Sequence, residues 1–295
     1  MWDLLIEGGY VLTMEGPGVG FLQDAAIGVR NGVIGYVGPK SELPSRQCHK
    51  YIDATGHVVM PGLINAHAHT GSCIIRGVGQ DIYNWMQRGI WPFSQHMTRD
   101  DAVVGSLLNI VEAVLVGTTC FCDFADRMSE LLPNYVMVGA RARVAHTINE
   151  MPTDSAKFQV GELYRFDPAV GQRKLQDSIK MLEEWHGREN GRITCLVGPQ
   201  GPDMMSLELL MECREVAKRY DTMIHMHVAQ GDREINQMLK RYGKRSIQFL
   251  DELGYLDDRL MAVHLTEATP EETKIVAERG ASMILCSASI AVIDG

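Results

Sequence analysis

The sequence lacks any apolar run of the roughly 18–20 residues that a membrane-spanning helix needs. Its N-terminus, MWDLLIEGGY, carries acidic residues and has neither the basic segment nor the long apolar segment of a secretory signal peptide. The Lys and Arg residues are scattered and the formal net charge is −9, so we expect no basic patch for a nucleic-acid backbone. The expectation is a cytoplasmic protein that binds neither a membrane nor a nucleic acid.

A disulfide framework is also missing. The seven cysteines are an odd number at irregular spacing, which favours free thiols in a reducing compartment. Cys120 and Cys122 lie one residue apart on a predicted buried strand, where burial as small apolar side chains explains them better than a metal site does. The 295 residues and the 45% hydrophobic content suffice for one large core and a small appended domain.

What the sequence does contain is a change in the pattern of secondary-structure signals near residue 60. Before it, short β-rich segments alternate with Gly and Asn-Gly turns, which predicts a small β-module over residues 1–60. After it, strand-like segments alternate with amphipathic helical segments, a pattern typical of βα units around a parallel sheet. This alternation predicts that residues 61–295 form an α/β barrel. Its seven predicted strands are 63–69, 118–124, 143–149, 193–199, 222–228, 260–266 and 282–288.

The connections between these strands differ in kind. Helices are predicted over 98–117, after a threonine N-cap and before a glycine stop, and over 171–189. The segment 81–97 is aromatic and is interrupted by Gly89 and Pro92, so it predicts a long loop. Long loops after barrel strands are where substrate pockets are built.

Five histidines lie near the ends of three predicted strands, where barrel active sites are found. Each buried imidazole needs a polar partner, and one shared divalent cation would satisfy them all. Neutral imidazoles bind Zn or Fe, and a catalytic metal lowers the pKa of a water toward 7, which predicts hydrolysis. Side chains two residues apart on a strand share a face, about 6–7 Å apart. The five are His67, His69, His225, His227 and His264.

The motifs resemble those of the amidohydrolase superfamily, in the branch of the triazine hydrolases and the aminohydrolases of purine-like and pterin-like rings. The resembling segments are MPGLINAHAHTGSCIIRG (60–77), DIYNWMQRGIWPFSQHMTRDD (81–101), GTTCFCDF (117–124), IHMHVAQ (224–230) and AVHLTE (262–267). The resemblance implies a distorted (β/α)8 TIM barrel with a β-sandwich built from both chain ends. It also implies one divalent metal ion, Zn2+ or Fe2+, a homo-oligomer, and displacement of an amino, alkylamino or halide group from a small nitrogen heterocycle.

The resemblance assigns roles to individual residues. It implies that His67, His69 and His227 are metal ligands; strand geometry alone leaves either His225 or His227 facing the axis. His264 matches the histidine that polarises the substrate or orients the attacking water. Aromatic side chains of the 81–97 segment are expected to bind the flat ring, each stacking contact being worth roughly 0.5–1.5 kcal/mol. These aromatic candidates are Tyr83, Trp85, Trp91 and Phe93.

Gln230 departs from the family pattern, because it stands where the family has a glutamate that moves a proton to the leaving nitrogen. A carboxamide hydrogen-bonds a ring nitrogen but does not shuttle protons near neutral pH. Three interpretations stay open. The leaving group needs no proton, as with halide; another residue among His264, Glu267 and Asp232 moves it; or the chain is a non-catalytic homologue.

Further departures concern the fourth ligand and the substrate. The family's eighth-strand aspartate has no match before Gly295, so we expect a fragment or a barrel completed by a second chain. In the segment Tyr83-Asn84, the first position is an acid in the nucleoside deaminases of this branch, where it binds the ribose hydroxyls; its absence disfavours a ribosylated substrate. Asp123 ends a strand either as a recruited ligand or as a hydrogen-bond acceptor for local backbone or a histidine. Hydrolysis of an amide, imide or urea-type C–N bond is the alternative reaction.

Overall fold

The computed structural model describes residues 1–82 and 84–292. The chain forms two compact units, Met1–Leu63 and a second unit that begins at Ile64. Within the described residues, every helix is too short or too polar to cross a membrane.

The first unit is a five-stranded sheet with the order β3-β2-β1-β4, in which β5 also pairs with β1. Its strands are β1 (Trp2–Leu12), β2 (Phe21–Arg30), β3 (Val33–Pro39), β4 (Cys48–Asp53) and β5 (Val58–Val59). Asn31 and Gly32 connect β2 to β3 with φ values of 53° and 72°, as a two-residue primed hairpin turn requires. Trp2 packs so closely on Gly28 that a Cβ there would lie 2.8 Å from its ring. The composite sandwich stays a prediction.

The second unit contains a seven-stranded sheet whose strands follow one another in chain order. They are β6 (Leu63–Ala68), β7 (Thr118–Ala125), β8 (Arg141–Ile148), β9 (Ile193–Pro199), β10 (Ile224–Val228), β11 (Leu260–His264) and β12 (Ser282–Ile284). The pairings from β7 to β12 are all parallel. This confirms the predicted α/β barrel and its seven strands, because sequential parallel pairing is what repeated βα units produce.

Helices follow the strands along the chain. They are α1 (Trp91–Ser94), α2 (Arg99–Leu115), α3 (Met128–Val138), α4 (Pro168–Trp185), α5 (Leu207–Arg219), α6 (Asp232–Tyr242), α7 (Ser246–Glu252), α8 (Pro270–Arg279) and α9 (Ser287–Val292). Thr98 and Asp101 form a capping box at the start of α2, as the sequence predicts. Helix α4 begins before the predicted residue 171, because Asp167 caps it and Pro168 occupies its first turn.

Two predicted segments differ from the structure, one in its type and one in its end. The 81–97 segment is not simply a loop, because a π-helix over Met86–Ile90 continues into α1. Gly89 belongs to this helical turn, where a Cβ would lie 2.6 Å from the Val78 carbonyl oxygen, and Pro92 lies in a first helical turn, which needs no N–H from it. The last predicted strand, 282–288, ends early because α9 follows it.

The core around the seven-stranded sheet has two layers. A large apolar cluster fills the space between the strands and the helices, and a smaller one lies among the strands themselves. The smaller cluster consists of Cys122, Phe124, Ala145, Leu196 and Met261. Side chains of one strand alternate between these layers, so Phe121 belongs to the outer layer and Phe124 to the inner one.

Candidate metal and substrate site

Imidazole nitrogens converge at the carboxyl ends of three strands. His67 lies in β6, His69 directly follows it, His227 lies in β10 and His264 ends β11. The Nε2 atom of His69 is 3.1 Å from Nε2 of His67 and 3.4 Å from Nε2 of His227. One ring nitrogen from each of His67, His227 and His264 lies within 4.8 Å of the other two.

The protons of two of these rings are held on the far side of the ring. Nδ1 of His69 lies 2.8 Å from the Phe124 carbonyl oxygen, and Nδ1 of His227 lies 2.7 Å from that of Gln200. Because a carbonyl only accepts, each Nδ1 carries the proton and each Nε2 presents a lone pair. Two lone pairs 3.4 Å apart repel each other unless a cation lies between them. The donor set therefore fits a divalent metal, held by imidazoles that their hydrogen-bond partners orient.

Four of these imidazoles, His67, His225, His227 and His264, have a pKa below the usual range and are neutral at physiological pH. Burial, and then the neighbouring histidines, hold the pKa of His67 and of His227 well below the usual range. The same burial lowers the pKa of His225 to about 3 and that of His264 to about 4. Neutral imidazole is the form that ligates metals, so the cavity keeps these side chains ready to bind one.

His264 reaches the cluster through an uncommon backbone conformation. Its φ is +81° and that of Leu265 is +55°, in the left-handed region that costs a non-glycine residue free energy. The ring centroid of His264 lies 5.5 Å from those of His67 and His227. Strain of this kind persists only where the surrounding structure enforces it.

A cavity of about 890 Å3 opens onto the cluster. The predicted site residues that line it are His67, His69, His227, His264, Gln230, Trp85 and Trp91. Phe93 is 51% exposed and lies outside the lining that the described residues form, so the structure does not place it at this cavity. Tyr83 lies outside the described residues.

Several polar residues of the cavity wall were not predicted. Asp203 is buried and forms an ion pair with Arg233. The Nζ atom of Lys174 donates to the Oδ1 atom of Asn149 at 3.3 Å. Gln200, another residue of the wall, directly follows β9. Asn149 and Gln200 directly follow strands, so an inspection of every strand end would have found them. Nothing in the local pattern marks Arg233, which lies on α6.

Two buried carboxylates hold the backbone beside the cluster. Asp123 accepts hydrogen bonds from the backbone N–H of Thr70 at 3.0 Å and from the hydroxyl of Tyr135 at 2.8 Å. Its carboxylate thus accepts from the backbone of the residue next to His69. This agrees with the interpretation of Asp123 as a hydrogen-bond acceptor for local backbone. Glu234 accepts from the backbone N–H of Ala229 at 2.7 Å and of Gln230 at 2.9 Å.

The model of the amidohydrolase family matches residues 58–294. The chain belongs to the amidohydrolase family. Within it, a 5′-deoxyadenosine deaminase from Methanosarcina mazei is 30% identical over 285 residues, which are 96% of this chain and 62% of that protein. This amidohydrolase chain therefore spans about three fifths of that relative's length.

Solved amidohydrolase structures share the fold. An adenosine deaminase from Xanthomonas campestris with bound zinc has a TM-score of 0.86 and 29% identity, covering 99% of this chain and 64% of that one. The atrazine chlorohydrolase TrzN from Arthrobacter aurescens TC1, complexed with zinc, has a TM-score of 0.84 and 22% identity, covering 99% and 67%. The second likeness concerns the fold alone.

Proposed function

We propose that this chain belongs to a metal-dependent hydrolase that displaces an amino, alkylamino or halide group from a small nitrogen heterocycle. The observation that carries the proposal is the convergence of the Nε2 atoms of His67, His69 and His227, two of them with Nδ1 held by carbonyl oxygens. The named activities of the relatives, which are deaminations of adenine nucleosides, support the class of substrate.

In this proposal His67, His69 and His227 hold one divalent metal ion, Zn2+ or Fe2+. Bound there, the metal would supply Lewis-acid activation of a water molecule. The proposed role of His264, which is buried and neutral, is to donate a hydrogen bond to the ring atom on which charge develops. Trp85 and Trp91 border the same cavity and offer flat apolar surfaces to a heteroaromatic ring.

Gln230 binds and orients the ring rather than moving a proton. Gln230 is half-buried in the cavity wall, and its backbone N–H donates a hydrogen bond to Glu234. This hydrogen bond fixes the backbone position from which the carboxamide side chain extends. A carboxamide donates to a ring nitrogen and accepts from a ring N–H, but it has no titration near neutral pH. The proposal therefore favours a leaving group that departs without protonation, or a proton supplied by another residue.

The first experiment is metal analysis of the purified full chain, combined with turnover of a panel of compounds. The panel contains a chlorotriazine, an alkylaminotriazine, an aminopurine, 5′-deoxyadenosine and a cyclic imide. We expect one equivalent of Zn or Fe and hydrolysis of a ring substrate. Because Tyr83 stands where the expected ribose-binding acid would be, the free rings should be better substrates than the nucleoside.

A double variant, His67→Ala with His69→Ala, tests the ligand assignment. It should lose the metal while its circular dichroism stays unchanged, whereas His49→Ala, which removes an exposed histidine of β4, should keep it. An unchanged metal content in the double variant would overturn the assignment. Metal without turnover of any compound would support a non-catalytic homologue, and turnover of the imide alone would support the amide-type reaction.

A further inference from the structure

His225 is the histidine of the cluster that the proposed function leaves without a role. It is fully buried in β10 and stays outside the cavity lining that the described residues form. Its Nε2 atom lies 3.1 Å from Nδ1 of His67, and the two rings are nearly perpendicular, at 88°. It therefore contacts a proposed ligand directly and has no access to the substrate.

The partner of His67 differs in kind from those of the other two proposed ligands. Nδ1 of His69 and Nδ1 of His227 each face a carbonyl oxygen, which only accepts, so their protons are fixed. Nδ1 of His67 faces an imidazole nitrogen, which either donates or accepts according to its tautomer. The tautomer of His67 is thus tied to that of His225.

Two proton arrangements satisfy this contact. If Nε2–H of His225 donates to Nδ1 of His67, then His67 carries its own proton on Nε2 and donates it to Nε2 of His69, 3.1 Å away. If instead Nδ1–H of His67 donates to Nε2 of His225, the Nε2 lone pair of His67 is free for a metal. The number of protons is the same in both, so only their positions change.

The second arrangement leaves a buried N–H without a partner. Nδ1 of His225 has no hydrogen-bond partner among the described residues, and in this arrangement it carries the proton. An unpaired buried donor is unfavourable, and this arrangement also leaves the Nε2 lone pairs of His67 and His69 3.1 Å apart with no hydrogen between them. The metal-free protein should therefore favour the first arrangement, and metal binding should select the second.

We propose that His225 is a positioning residue that sets the orientation and the tautomer of His67. The inference rests on the proposed metal site. It assigns to His225 the function that backbone carbonyls perform for His69 and His227, with the addition that its partner exchanges donor and acceptor roles when the ion binds.

The test compares variants of the full chain. His225→Phe keeps a ring but removes both nitrogens, His225→Gln keeps a group that donates or accepts, and Met261→Leu replaces another buried residue of the inner layer. Zn2+ affinity is measured by competition with a chelating dye, and Co2+ spectra report the ligand geometry. We expect His225→Phe to bind roughly 10- to 100-fold more weakly, His225→Gln to recover most of the affinity, and Met261→Leu to match the wild type.

Nitrogen NMR of the metal-free proteins provides a readout independent of the ion. In the wild type the proton of His67 should reside on Nε2, and in His225→Phe this preference should be lost. Equal Zn2+ affinity, or an unchanged His67 tautomer, in His225→Phe would overturn the inference; if that variant does not fold, His225→Met takes its place under the same criterion. A wild type that binds no metal contradicts the proposed function, and the NMR result then decides the inference by itself.

Discussion

Glu234 allows a quantitative prediction about pH and stability. The side chain is 1% exposed and accepts hydrogen bonds from the backbone N–H groups of Ala229 and Gln230. Burial, and then the charge of Asp203, raise the pKa of Glu234 from 4.5 to about 7, although the hydrogen bonds from Gln230, Ser246 and Ala229 oppose this rise. The carboxyl is therefore expected to titrate near neutral pH in the folded chain.

The direction in which the unfolding free energy changes with pH follows from proton linkage. Between pH 4.5 and about 7 the folded state retains a proton on Glu234 that the unfolded state has released, so the stability falls as the pH rises. The stabilisation is complete below pH 4.5 and is lost as the pH passes the folded pKa. At about 1.4 kcal/mol per pH unit, the interval from 4.5 to about 7 corresponds to about 3 kcal/mol of unfolding free energy.

The assay is urea unfolding of the wild type and of Glu234→Gln at pH 5, 6, 7 and 8. The variant lacks this titration, so the wild-type advantage over it should be about 2.5 kcal/mol greater at pH 5 than at pH 8. Titrations common to both proteins, including those of the histidines, cancel in the difference. A pH-independent difference for Glu234→Gln would refute the reasoning.

Three further predictions concern the cavity. Gln230→Glu should raise kcat/KM for deamination of an amino-substituted ring, because it introduces a titratable group; an unchanged or lower value would mean that the site serves another leaving group. Asp203→Ala should lower the unfolding free energy by about 3–5 kcal/mol in urea, since it leaves the Arg233 charge uncompensated; a loss below 1 kcal/mol would contradict a buried pair. Trp91→Ala should raise KM for the ring substrate several-fold while Phe93→Ala leaves it unchanged, and equal effects would contradict the cavity lining.

Much of the fold could be predicted because its determinants are local. The alternation of strand-like and amphipathic segments identified seven strands of a barrel, and the Thr98 cap identified the start of α2. The errors arose where tertiary contacts override local signals. Gly89 looks like a helix breaker in sequence, but it permits a close approach to the Val78 carbonyl inside a helical turn.

The residues of the candidate site also divide into those that local sequence patterns predicted and those that depend on tertiary contacts. Period-two spacing and position at strand ends were enough to select the histidines, since both properties are visible in a single chain segment. The polar wall was missed, because Arg233 and Asp203 lie 30 residues apart and meet only in the folded chain. The position of Phe93 also depends on folding, because the side of the short α1 helix that faces the cavity cannot be read from composition.

By itself, the sequence determined the class of fold, the strands that carry the clustered histidines, and the residue type at each position of the cluster. Those properties depend on hydrophobic periodicity and on the chemistry of imidazole, which are local. Only the tertiary structure decided which nitrogen of each ring faces the cluster, because that choice depends on partners from other parts of the chain: Phe124, Gln200 and His225. It also decided the pKa values, since burial and neighbouring charges are properties of the packed chain.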